Sequence, residues 1–142
     1  MMEQKPKPLY WEPEPDLGYA VERRADGGMN ITVWRIDEHT LEHWRRFAET
    51  HELYSDRLTR NLYDLRSLED FPEEAIQYAV EVNSDPAARR LRVAVLVSND
   101  KVRRAIERII ALTAPEGGAE IRIFTDPEEA EAWLARPLED ML

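Results

Sequence analysis

Apolar and polar positions change their spacing several times along the chain, and each change marks an element. Gly18-Tyr19-Ala20-Val21-Glu22 and Met29-Asn30-Ile31-Thr32-Val33-Trp34 are β-prone runs joined across Ala25-Asp26-Gly27-Gly28, whose glycines can take the positive φ of a hairpin turn. Asp37 stands as a cap before a helix over about residues 38–50, where Leu41, Trp44, Phe47 and Ala48 share one apolar stripe. On the helical wheel that stripe lies opposite His39 and His43, which places both histidines toward solvent. Asn61-Leu62-Tyr63-Asp64-Leu65 predicts a short strand. Pro72 then sits where a first helical turn begins, with Ala75, Ile76, Ala79 and Val80 as that helix's buried face.

The strongest strand pattern is Leu91-Arg92-Val93-Ala94-Val95-Leu96-Val97, which is apolar on both faces after Arg92 and predicts a central strand with helices over both sides. Ser98 is placed to cap the next helix, along which Val102, Ala105, Ile106, Ile109 and Ile110 recur at helical spacing until Gly117-Gly118. A strand from Ala119 to Phe124 follows. Asp126-Pro127-Glu128-Glu129 then reads as an N-cap, a first-turn proline and a capping-box glutamate, opening a helix that buries Ala130, Trp133 and Leu134. Trp34, Trp44 and Trp133 fall on apolar faces and are expected in the core. The order ββαβαβαβα, with right-handed crossovers, predicts a single α/β domain over residues 17–136: a five-stranded mixed sheet flanked by four helices. Residues 1–16, with prolines at 6, 8, 13 and 15, read as an extended arm, and 137–142 as a flexible acidic tail.

Several of these stretches resemble a known family. Leu91-Arg-Val-Ala-Val-Leu-Val with its amphipathic helix, Leu62-Tyr63-Asp64-Leu65-Arg66, and Ala119-Glu-Ile-Arg-Ile-Phe-Thr-Asp followed by Glu129-Ala130 and Trp133-Leu134 resemble the SpoIIAA-like family of STAS-type fold, over about residues 17–135. The resemblance implies a small α/β module that acts by binding rather than chemistry, on a fold shared with anti-sigma-factor antagonists and related to lipid-carrying CRAL-TRIO modules. One departure bears on regulation. Where the antagonists carry an Asp-Ser-Ser-Gly phosphoacceptor, this chain has Phe71-Pro72-Glu73-Glu74, and a kinase cannot switch glutamates. Ser67, a turn upstream, reads as an ordinary loop serine.

Composition narrows the chemistry. The 142 residues are 43% hydrophobic and 34% charged, enough for one domain with a core of its own, and they include no cysteine. Disulfides, thiol nucleophiles and iron–sulfur clusters are thereby excluded. A net charge of −10, of which residues 115–142 contribute −6 (two arginines against eight acids), argues against nucleic acid and anionic membrane as partners. No apolar run has the length of a membrane span or a secretory signal, so a cytoplasmic location is expected.

His39-Thr40-Leu41-Glu42-His43 matches the H-x-x-E-H pattern of inverted zinc peptidases, with two histidines four apart around a glutamate. A third ligand and a cleft are not evident, so no metal and no catalytic role is assigned to it. His51 reads as a surface residue near a helix end. Asp64, at the end of an interior strand, is the carboxylate best placed for binding, because ligands of open α/β sheets gather at strand carboxyl ends; as a plain structural residue it would cap a turn. Sixteen arginines against three lysines is a skew that genome composition explains as well as function does. The start of the helix after Ser98-Asn99 could attract an anion, but Asp100 in its first turn opposes that, and no glycine-rich phosphate loop accompanies it.

Three functions follow from this reading. The leading one is a non-enzymatic interaction module with a protein partner not named by the sequence, or with a second copy of itself, using Tyr10 and Trp11 of the arm. Left in water, each of those aromatics would cost about 1.5–3 kcal/mol. The alternative is a carrier of a small apolar, lipid-like ligand in a crevice between the sheet and the helices at 72–82 and 99–112, lined by Ile76, Val80, Ile106 and Ile110 with Asp64 nearby. An enzyme built on Asp64 or on the histidines ranks last. No cofactor is expected.

Overall fold

The structure is a computed structural model that describes residues 14–53, 59–85, 91–114 and 119–138. Strands β1 (Tyr19–Arg23), β2 (Met29–Val33), β3 (Thr59–Asp64), β4 (Leu91–Leu96) and β5 (Glu120–Phe124) form one sheet in the order β1-β2-β3-β4-β5. The β1–β2 hairpin is antiparallel and every later pair is parallel. Helices α1 (Glu38–Phe47), α2 (Glu73–Ser84) and α3 (Asp100–Leu112) are the crossovers, and α4 (Pro127–Leu134) follows the last strand. The expected order and mixed sheet are therefore present.

Strand order that advances in one direction, combined with right-handed crossovers, must put all three crossover helices on the same face. Phe47 of α1, Ile76 and Ala79 of α2, and Val102, Ala105, Ile106 and Ile109 of α3 accordingly share one core with Tyr19, Ile31, Val93 and Val95. Helix α4 follows the last described strand and lies over the opposite face. There Ala130, Trp133 and Leu134 pack on Ala94 and Leu96, with Leu62 and Phe124 alongside. Strand β4 is buried along its whole length as a result. Helix α4 covers only the β3–β5 side of its face. Glu22 and Thr32 stay exposed on the outer half, and so does Trp34, expected in the core but 42% exposed at the end of β2.

Local signals account for most element ends. In the hairpin turn Gly27 takes φ 91°, and Asp26 Oδ1 accepts from Gly28 N at 2.9 Å. Arg24 reaches from that turn to α4, donating to both oxygens of Glu131 at 3.0 and 2.6 Å. Asn99, rather than the expected Ser98, caps α3 by accepting from Val102 N at 2.8 Å; Ser98 Oγ instead donates to Arg66 O at 2.7 Å. Asp126 caps α4 and Pro127 occupies its first turn, but the reciprocal glutamate bond of a capping box is not formed. Past Phe47 the first helix continues as a π-helical stretch, Ala48–Leu53, a widened winding that inserts extra backbone. Among the described residues no helix is long and apolar enough to cross a membrane.

The cap of α1 carries a pH prediction. Asp37 Oδ1 accepts from Thr40 N at 2.8 Å, and that bond, followed by Thr40's side chain and Arg35, pulls the Asp37 carboxyl from its usual 3.8 down to about 2. A depressed carboxyl stabilises the fold above its ordinary value and loses that contribution as pH falls from about 4 toward about 2. Asp37→Ala is expected to cost about 1 kcal/mol at neutral pH. Asp37→Asn, which keeps an acceptor, should instead lose the acid-dependent part. An unchanged acid limb in urea unfolding of the asparagine variant would assign that limb to other carboxylates.

Candidate functional site

Between the sheet and α1, α2 and α3 lies a cavity of about 100 Å³. Its floor is Tyr19, Val33, Tyr63, Leu91, Val93 and Val95 of the sheet, and its roof comes from Leu41 and Trp44 of α1, Ala75 and Ala79 of α2, and Ile106 and Ile109 of α3. The space has a simple origin. Along the cavity α2 presents Ala75 and Ala79 before Val82, and the larger side chains of α1 and α3 do not close the gap above those alanines. Ile36, Trp44, Tyr63, Phe71 and Asn83 are lining residues that remain partly exposed. Most of these stand toward the carboxyl ends of the strands, the usual ligand side of an open α/β sheet.

None of the described residues lining the cavity is charged. The polar ones are mostly engaged elsewhere. Tyr19 Oη and His43 Nδ1 share a buried hydrogen bond of 2.6 Å, Thr40 Oγ1 accepts from Gly18 N at 2.9 Å, and Trp44 Nε1 donates to Tyr63 Oη at 3.1 Å. Asn83 donates one amide hydrogen to Ala79 O at 2.8 Å. Its carbonyl oxygen and second amide hydrogen have no partner among the described residues.

The residues singled out from sequence are placed as follows. Ile106 lines the cavity. Ile76 is buried in the core beside it and Val80 packs on that core, but neither lines the space. Ile110 lies on the outer side of α3, 40% exposed, because Ile109 takes the inward position. Asp64 stands at the end of β3 and is held by Arg66, whose Nε and Nη2 donate at 3.0 and 2.8 Å. Those bonds hold the Asp64 carboxyl below its ordinary value, so it serves as the acceptor of a local turn. Tyr10 and Trp11 lie outside the described residues.

The histidine motif needs a correction. His39 is exposed as expected, but His43 is only 9% exposed and turns inward to Tyr19, since β1 passes beneath that side of α1. Their outer nitrogens face one carboxylate, Glu14, at 3.2 Å from His39 and 3.8 Å from His43, with Arg46 at 3.9 Å. Among the described residues no three His, Cys, Asp or Glu side chains are grouped to hold a metal ion.

Two further features were not legible in the sequence. Arg92, inside the most apolar strand, is fully buried on the α4 face, where it donates to Arg136 O at 2.7 Å and Pro137 O at 3.3 Å and pairs with Glu120 at 3.4 Å. Arg60 beside it donates to Leu134 O and Arg136 O, so two arginines satisfy the free carbonyls at the end of α4. At the start of α2, where the resemblance places a phosphoacceptor, Glu73 is bound by Arg108 of α3 at 2.7 and 2.9 Å, which holds its carboxyl below the ordinary value.

No family model and no curated protein matches this chain. Among solved structures it is similar to an uncharacterized protein from the DUF3478 family with a SpoIIAA-like fold, from Shewanella loihica PV-4. The TM-score is 0.59 with 16% sequence identity, over 82% of this chain and 92% of that chain. The sheet order, the helix placement and this likeness together show a SpoIIAA-like fold.

Proposed function

We propose that this SpoIIAA-like domain binds a small apolar molecule in the cavity beneath α1, α2 and α3, as a carrier or sensor without catalytic activity. The supporting observation is the cavity itself: about 100 Å³ of uncharged space where a domain of this size normally packs shut. The lining adds direction, because apart from Asn83 its polar side chains bond to one another, to His43 or to the backbone, so that mostly hydrocarbon meets the space.

Native mass spectrometry of untagged protein, with organic extraction of the same sample, tests this reading. A bound small molecule is the expected result. Ala79→Leu places a larger side chain into the cavity and is expected to abolish uptake of an added apolar ligand while leaving the urea midpoint equal or higher. Equal uptake by wild type and Ala79→Leu would end the proposal.

A second reading, self-association, is favoured by Trp34. Its exposed ring lies on the sheet face that α4 leaves open, beside β1, an edge strand whose backbone groups can pair with a second copy of the chain. Sedimentation at increasing concentration should then show a dimer that Trp34→Ala weakens. A monomer throughout would dismiss it.

A further inference from the structure

Resting on the cavity reading above, the geometry points to a specific ligand class: a neutral molecule of about one ring, carrying a single hydroxyl or N–H that Asn83 receives. Size sets the first limit. The space is about 100 Å³, below the roughly 150 Å³ of an apolar cavity that takes up one benzene molecule. A ring therefore needs one edge outside the enclosed space, and Asn83 is itself a lining residue that stays partly exposed. A long acyl or isoprenoid chain does not fit inside.

Charge sets the second limit. No described lining residue is ionisable near neutrality, so a carboxylate or ammonium group entering the space would lose its hydration without a counter-charge. Hydrogen bonding sets the third. Tyr19, Thr40 and Trp44 already spend their polar atoms on His43, Gly18 and Tyr63. Asn83 does not: beyond the bond to Ala79 O, its carbonyl oxygen can accept and its second amide hydrogen can donate. Asn83, at the carboxyl-terminal end of α2, thus offers a single polar group on the ligand a complementary partner.

Calorimetric or NMR titration of the full chain with toluene, p-cresol and palmitate checks the assignment, using wild type, Asn83→Leu and Ala79→Leu. Both aromatics are expected to bind wild type and to lose binding in Ala79→Leu. The affinity ratio of p-cresol to toluene is expected to fall roughly 2- to 12-fold in Asn83→Leu, the worth of one neutral hydrogen bond. A ratio that does not move overturns the role of Asn83 and leaves the cavity reading intact. Stoichiometric palmitate binding that displaces p-cresol overturns the size class. Failure of all three probes to bind overturns the cavity reading itself. Should Asn83→Leu unfold, Asn83→Ala gives the same ratio test with less added bulk.

Discussion

Trp133→Ala is expected to lower the stability of this fold by about 3–5 kcal/mol, the range for removing a buried tryptophan. Its ring is 6% exposed and sits in the small core between α4 and the sheet, 5.6 Å from the Phe124 ring centroid and packed with Ala94, Leu96 and Leu134. Two guanidinium groups also lie over it, Arg92 at 5.5 Å and Arg122 at 5.6 Å. Of these, Arg92 is fully buried, so truncating the ring removes a cation–π partner from a charge that has no access to water. Trp133→Phe keeps an aromatic face and should cost less than half as much. Urea unfolding followed by circular dichroism measures the effect, and hydrogen exchange locates it, with α4 amides expected to lose protection first. A loss under about 1 kcal/mol would mean that α4 is not integral to the cooperative unit.

Gly28→Ala is expected to destabilise by about 3 kcal/mol or more, at the upper end for forcing atoms into packed structure. A methyl group on Gly28 would lie 1.7 Å from the Arg60 carbonyl oxygen and 2.8 Å from its carbon, and both are backbone atoms that cannot rotate away. Relief requires β2 and β3 to separate next to their first paired residues, Met29 and Asn61. Because Arg60 also donates to the carbonyls ending α4, the displacement would reach the far face of the sheet. Gly27→Ala, one residue earlier, meets the different problem of φ 91°, a conformation that costs an alanine roughly 1–2 kcal/mol. Thermal unfolding of the two variants should therefore rank Gly28→Ala well below Gly27→Ala. The reverse order would show that turn conformation, not strand approach, governs this corner.

What was legible in the sequence was what depends on neighbours along the chain. The Leu91–Val97 run announces a strand buried on both sides, Asp37 and Asp126 announce helix starts, and the alternation of strands with helices announces a parallel sheet. Each rests on local periodicity or on a hydrogen bond spanning three residues or fewer, so a single chain suffices to read it. The kind of sheet follows too, parallel with an antiparallel opening hairpin, whereas the order of strands across it is seen only in the structure, because right-handed crossovers are compatible with more than one order.

The site was only partly legible, for a reason that Ile106 and Ile110 illustrate. Both belong to the same apolar stripe, yet one lines the cavity and the other faces solvent, because the stripe gives the side of the helix but not the rotation at which α3 seats on the sheet. His43 shows the same effect on α1, where a strand from elsewhere in the chain supplies the Tyr19 hydroxyl that a helical wheel cannot contain. Arg92 inside an apolar strand is intelligible only beside the carbonyls of Arg136 and Pro137, more than forty residues away in sequence. The cavity is the extreme case. It is the volume left over when three helices and a sheet meet above two alanines, a difference between sums over distant side chains. The sequence by itself therefore determined the elements, their order along the chain and the kind of sheet. Only the tertiary structure decided which faces close, which charge is buried and where space remains, because packing compares residues that the chain keeps apart.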